Sequence, residues 1–233
     1  MLYIIGLGLN YDSISEYGLA VAQRCKRIYL EEYTVDFPYD VEEIRKVIGK
    51  KIICADREKV EGLSLIDEAK KLDVALLVYG SPLTATTHIT LIEEAKKSGL
   101  RYKIIYNASV LDAVAETGLQ LYKFGKIASM PIHEADSYVN LLLDNQKINA
   151  HSLILVDIGM EFKEALERLK KDCEKKLKLN KILVCSKLGV KNKRILYDEI
   201  ENLEGRSIQK PYCIIIPSKL HFTEKEMLET YGK

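Results

Sequence analysis

Tryptophan is absent from the 233 residues, and proline is scarce at 5. Glycine adds only 13. So little of either excludes a collagen-like chain and a largely disordered one. Long apolar runs are missing too. The longest, Val74–Tyr79 (VALLVY), is far short of the ~20 residues that span a bilayer. Charge of one sign is also lacking, since 35 Lys and Arg face 34 Asp and Glu for a net +1. That balance argues against a general nucleic-acid binder. The five cysteines (Cys25, Cys54, Cys173, Cys185, Cys213) are odd in number and include no CxxC. A disulfide framework or a zinc ribbon is therefore disfavoured, and a reduced, cytoplasmic protein is expected. No HxxxH or HxH exists to hold a metal, no GxSxG elbow and no Walker loop. The first residues, MLYIIGLGLN, carry no basic n-region and read as a strand, not a signal peptide.

What is present is an α/β pattern. Leu2–Leu9 is an apolar, β-rich run that ends in a glycine turn. Ser13 or Ser15 can cap a following helix. The spacing of Val41, Ile44, Val47 and Ile48 predicts a second helix, ended by Gly49. Asp73–Tyr79 is nearly continuous in apolar residues, as a parallel strand buried on both faces requires. A helix carrying Leu91, Ile92 and Ala95 follows, then the strand Arg101–Tyr106. This alternation is the signature of a mostly parallel sheet. The second half has strands at Leu153–Ile158, Ile182–Ser186, Arg194–Tyr197 and Tyr212–Ile216, with an amphipathic helix over Glu161–Leu179 and a last helix at Phe222–Tyr231. Their uneven spacing predicts a mixed sheet. Two α/β domains are expected, residues 1–110 and 111–233.

Four stretches carry chemistry. Gly6-Leu-Gly8-Leu-Asn-Tyr11 begins like a dinucleotide fingerprint, but Tyr11 stands where the third glycine belongs, so a classical NAD fold is disfavoured. Gly80-Ser-Pro-Leu-Thr84-Ala-Thr86-Thr87-His88 lies between a buried strand and a helix. Ligands bind there in open α/β sheets, although Thr84 or Thr86 could simply cap the helix. Asn107-Ala-Ser109-Val110 repeats the arrangement after the next strand, with Ser109 as an alternative cap. Gly118-Leu-Gln-Leu-Tyr122-Lys123-Phe124-Gly125-Lys126 mixes aromatics and cations and suits either a pocket lining or a surface loop. His221, in Pro217-Ser-Lys-Leu-His221, reads as structural.

Taken in order, these stretches resemble the diphthine synthase family, within the tetrapyrrole-methylase-like S-adenosylmethionine (SAM) methyltransferases. The likeness runs from residue 1 to about 222, and PLTATTH and GLQLYKFGK are its most specific parts. The resemblance implies two α/β domains of the tetrapyrrole methylase type, with SAM as cofactor in the cleft between them. It implies a homodimer, and methylation of the amino group on the modified histidine of translation elongation factor 2. The cofactor contacts it implies are Leu9, Ser81, Thr84, Ser109 and Val110, and in the second half Val156, Leu188 and Tyr212. Tyr122, Lys123 and Lys126 would then form a docking rim for the protein substrate. The family pattern in the loop is Gly-Asp-Pro-Leu, and here Ser81 replaces the carboxylate. A neutral hydroxyl bond is about half as strong as a charge-assisted one. No catalytic base is singled out. Asp112, Glu116 and Asp157 lie near the implied contacts, but each also suits a cap or an ion pair. The alternatives are methylation of a corrinoid precursor or of ribosomal RNA, or a SAM-fold binding protein without catalysis.

Overall fold

The computed structural model describes residues 1–62 and 64–232. The chain divides into two compact units, Met1–Leu111 and Asp112–Lys233.

In the first unit the elements run β1 (Leu2–Gly6), α1 (Glu16–Arg24), β2 (Arg27–Glu31), α2 (Val41–Ile48), β3 (Ile53–Ala55), α3 (Arg57–Glu61), α4 (Ser64–Ala69), β4 (Val74–Val78), α5 (Ile89–Lys97) and β5 (Tyr102–Ile105). A short α6 (Val110–Ala113) leads out of the unit. The sheet order is β3-β2-β4-β1-β5, and every pairing is parallel. β4 is buried along its whole length because helices cover both faces. Leu2, Ile4, Leu76 and Val78 pack with α5 on one face. Ile5, Leu30 and Leu77 pack with α1 and α2 on the other. Ser15, not Ser13, caps α1 by accepting from the Gly18 amide at 3.1 Å. Gly49 closes α2 at φ 67°, a conformation that favours glycine.

The second unit opens with two 3₁₀ turns, Val114–Thr117 and Leu121–Lys123. It continues β6 (Ala128–Met130), α7 (Ser137–Lys147), β7 (Ser152–Val156), α8 (Phe162–Cys173), β8 (Lys181–Ser186), β9 (Arg194–Glu199), β10 (Tyr212–Ile216) and α9 (Phe222–Glu229). Its sheet, β6-β7-β10-β8-β9, is mixed: β6 and β7 are parallel and the other pairs antiparallel. The helix expected over Glu161–Leu179 ends at Cys173. The chain must turn there to enter β8, and Leu177 and Leu179 still reach the core from the turn. Among the described residues, no helix is long and apolar enough to cross a membrane.

Candidate functional site

In the first unit three loops converge at the carboxyl ends of β1, β4 and β5. Gly8 and Gly80 exchange backbone hydrogen bonds at 3.1 and 2.9 Å. Asn107 Nδ2 donates to the Gly6 carbonyl at 3.1 Å and to the Ser13 carbonyl at 2.9 Å. A Cβ on Gly80 would lie 3.7 Å from Cα of Ser109, and one on Gly6 would lie 2.6 Å from the Gly80 carbonyl oxygen. Gly6 is thus needed for close approach of backbone to backbone, whereas at Gly80 it is the positive φ of 69° that favours glycine. This convergence gathers the loops that carry Leu9, Ser81, Thr84, Ser109 and Val110. Leu9 and Ser109 are buried, while Ser81, Thr84 and Val110 are partly open.

In the PLTATTH stretch neither Thr84 nor Thr86 caps α5. His88 occupies the N-cap position without a side-chain capping bond. Thr86 Oγ1 instead donates to the Pro82 carbonyl at 2.9 Å. Ser109 does cap, its Oγ accepting from the Leu111 amide at 3.2 Å.

In the second unit Val156, Leu188 and Tyr212 lie at one end of the sheet. Val156 ends β7, and Tyr212 begins β10 one step beyond the Cys213–Leu155 pair. Tyr212 also pairs with Ser186, the last residue of β8, and Leu188 follows shortly after. Tyr212 is tied by its hydroxyl to the Met160 carbonyl at 3.1 Å. The first unit's residues thus sit at the carboxyl ends of parallel strands, where open α/β sheets take ligands, and the second unit's at one end of its mixed sheet, with Leu188 and Tyr212 buried. Among the described residues, no group of three His, Cys, Asp or Glu side chains could hold a metal ion.

The three carboxylates near these positions have other partners. Glu116 forms an ion pair with Lys193. Asp157 accepts from the Ile132 amide at 3.1 Å and from the Ile158 amide at 3.0 Å. Asp112 is exposed and also has a partner.

The expected docking rim divides. Tyr122 is 83% exposed. Lys126 is exposed and pairs with Asp144 at 3.1 Å. Lys123 points inward to Glu224, whose side chain is 0% exposed. Glu224 also accepts from the Gln120 amide at 3.0 Å, the His221 amide at 2.7 Å and His151 Nε2 at 3.1 Å. Burial pushes the carboxyl up, but the Lys123 ammonium, the two amides and His151 outweigh it and hold it at about 2. His151 Nδ1 accepts from the Ser218 amide at 3.0 Å, so the ring is neutral with its proton on Nε2. Burial likewise holds its pKa low. This network joins YKFGK to PSKLH, and the lone residues His151 and Glu224 gave no sequence signal for it. His221 is structural, as expected: it caps α9 in a capping box with Glu224.

Comparison with known proteins agrees with this architecture. The model of the family "Tetrapyrrole (Corrin/Porphyrin) Methylases" matches residues 1–204. "Diphthine synthase" of Methanocaldococcus jannaschii is 37% identical, over 98% of this chain and 98% of its own length. "Diphthine methyl ester synthase" of Saccharomyces cerevisiae is 45% identical over 169 residues, or 69% of this chain. The match spans only 56% of that yeast protein's length. A crystal structure of diphthine synthase superimposes with a TM-score of 0.92 at 33% identity, covering 99% of this chain and 95% of that one. The parallel first sheet, the mixed second sheet and these matches have one reading: the chain belongs to the tetrapyrrole methylase family.

Proposed function

We propose that this chain is a SAM-dependent methyltransferase of diphthamide biosynthesis, and that its substrate is the modified histidine of translation elongation factor 2. The observation that carries this is the likeness to the M. jannaschii diphthine synthase over nearly all of both chains. SAM contacts Leu9, Ser81, Thr84, Ser109 and Val110 in the first unit, and Val156, Leu188 and Tyr212 in the second. The protein works as a homodimer in the cytoplasm, where its five free cysteines stay reduced.

When bound, SAM supplies an activated methyl group with its own leaving group. The chain's task is then positional. Its residues would have to bring the acceptor atom to near-attack distance, ~3–3.5 Å, from the group being transferred. Such a transfer needs neither a covalent nucleophile nor a metal from the protein. The acceptor amine must arrive unprotonated.

The names of the relatives favour a second acceptor as well. "Diphthine methyl ester" denotes methylation of a carboxylate oxygen, and the yeast bearer of that name is 45% identical in the matched region. One experiment tests both readings. Partially modified elongation factor is incubated with methyl-labelled SAM, and the labelled protein is then held in mild alkali. Label on the protein that survives alkali marks nitrogen methylation. Label released as methanol marks the ester. No transfer to the elongation factor overturns the proposal.

A further inference from the structure

The loop at residues 80–88 is held in an unfavourable shape by two side chains acting on one atom. The Pro82 carbonyl accepts from Thr86 Oγ1 at 2.9 Å and from His88 Nδ1 at 3.0 Å. Both of its acceptor positions are thereby used. Inside this bracket Ala85 takes φ 55°, the left-handed region that a side chain disfavours. The backbone would not choose this turn by itself, so something must over-determine it.

His88 is an unusual choice for that task. At a helix N-cap, serine, threonine or aspartate would normally satisfy the first amides. Here the imidazole forgoes capping and turns back to the loop. Its ring is 1% exposed and meets Tyr33 edge-on, with centroids 6.3 Å apart. A carbonyl can only accept, so the Nδ1 atom carries the proton. Nε2 finds no partner among the described residues. Burial holds the imidazole pKa low, and the ring stays neutral in this tautomer. The other end of the loop is anchored by the Gly8–Gly80 backbone pair. Ser81 and Thr84 lie between these two anchors. The Thr84 amide donates to the Ser81 carbonyl at 3.1 Å, so the segment between the anchors is a closed turn with the Pro82 peptide inside it.

We infer that His88 is a positioning residue, whose Nδ1–H bond to the Pro82 carbonyl sets the Ser81–Thr84 loop in the shape that receives the methyl donor. The inference rests on the proposal that SAM contacts Ser81 and Thr84. It assigns His88 a role in cofactor affinity and none in the methyl-transfer step.

The test compares amides that mimic one ring nitrogen each. In His88→Asn the amide nitrogen can occupy the Nδ1 position. In His88→Gln it reaches the Nε2 position and leaves Pro82 without this donor. Thr86→Val removes the second bond with little change of volume. SAM affinity is measured by calorimetry on the full chain, with kcat and KM for SAM on modified elongation factor and a thermal melt of each variant. The expected result is a Kd about tenfold weaker in His88→Gln, as the loss of one buried hydrogen bond predicts. Thr86→Val should weaken SAM several-fold. His88→Asn should stay within about threefold of wild type, and kcat at saturating SAM should barely change in any of them. If Asn and Gln lower the melting temperature alike and leave SAM affinity alike, the histidine only fills the core and the inference fails. Equal affinity in wild type and His88→Gln also overturns it, while the proposed function stands. If the wild-type chain itself binds no SAM, the proposed function falls, and this inference with it.

Discussion

Replacing Lys123 by methionine should remove a pH-dependent part of the protein's stability. The relevant group is Glu224, fully buried and held at about 2 against an ordinary 4.5. The difference, 4.5 − 2 = 2.5, at about 1.4 kcal/mol per unit, corresponds to about 3–3.5 kcal/mol. The folded-state pKa is depressed, so this stabilisation is complete above pH 4.5. It is lost as pH falls from there towards 2. Methionine keeps much of the lysine's length and apolar stem but leaves the buried carboxylate facing its burial cost with one partner fewer. Its pKa then rises, and most of the ~3–3.5 kcal/mol disappears at neutral pH. For a chain of this length each kcal/mol moves the melting temperature by roughly 2–4 °C. The expected drop is therefore about 6–12 °C at pH 7. Towards pH 2.5 the gap should narrow, because the carboxyl is by then protonated in the unfolded chain and the linked stabilisation of the folded wild type is mostly lost, vanishing only below about pH 2. The assay is a circular-dichroism melt of wild type and Lys123→Met at half-unit intervals from pH 2.5 to 8. A gap that stays constant with pH would mean that the lysine acts through packing alone. No gap at any pH would remove the ion pair from the stability of this unit.

Other consequences follow from the converging loops and the exposed segments. Ser109→Trp should abolish SAM binding in calorimetry by filling the space beside Gly80, and unchanged affinity would displace Ser109 from the cofactor site. Ser81→Asp should tighten SAM by about 1 kcal/mol, the excess of a charged over a neutral hydrogen bond. Weaker binding would mean that this pocket is built around serine. In Gly6→Ala the new methyl would sit 2.6 Å from the Gly80 carbonyl oxygen, a contact that forces backbone apart. A stability loss of about 1–3 kcal/mol in urea unfolding is expected, and a neutral result would refute close approach as the reason for this glycine. Tyr122→Ala should leave the melting temperature within about 1 °C, because the ring is 83% exposed. It should lower kcat/KM on elongation factor several-fold while sparing SAM affinity, and full efficiency would take Tyr122 out of substrate docking.

The first sheet was legible in the sequence because its causes are local. A strand buried on both faces must be apolar throughout, and Val74–Val78 is. The αL position after α2 favours glycine, and Gly49 occupies it. β6 and α7 were not anticipated. β6 is three residues long and gains its stability from pairing with β7, and α7 has no side-chain cap to mark its start. Helix α8 stopped short of its apolar pattern for the same kind of reason: periodicity reports which side chains are buried, not where the backbone turns. The motif loops could be named from residue types, since glycine, proline and threonine at a strand end limit what the backbone can do. Which hydroxyl bonds to which carbonyl could not. Thr86 and His88 share the Pro82 oxygen only because the folded loop brings both there. The same holds most strongly for Lys123. In the sequence it is one more cation beside an aromatic residue. Glu224, about a hundred positions later, turns it inward, because a carboxylate buried on α9 is stable only with charged and amide partners around it. Residue types set the local shapes, and long-range burial decided which charges meet.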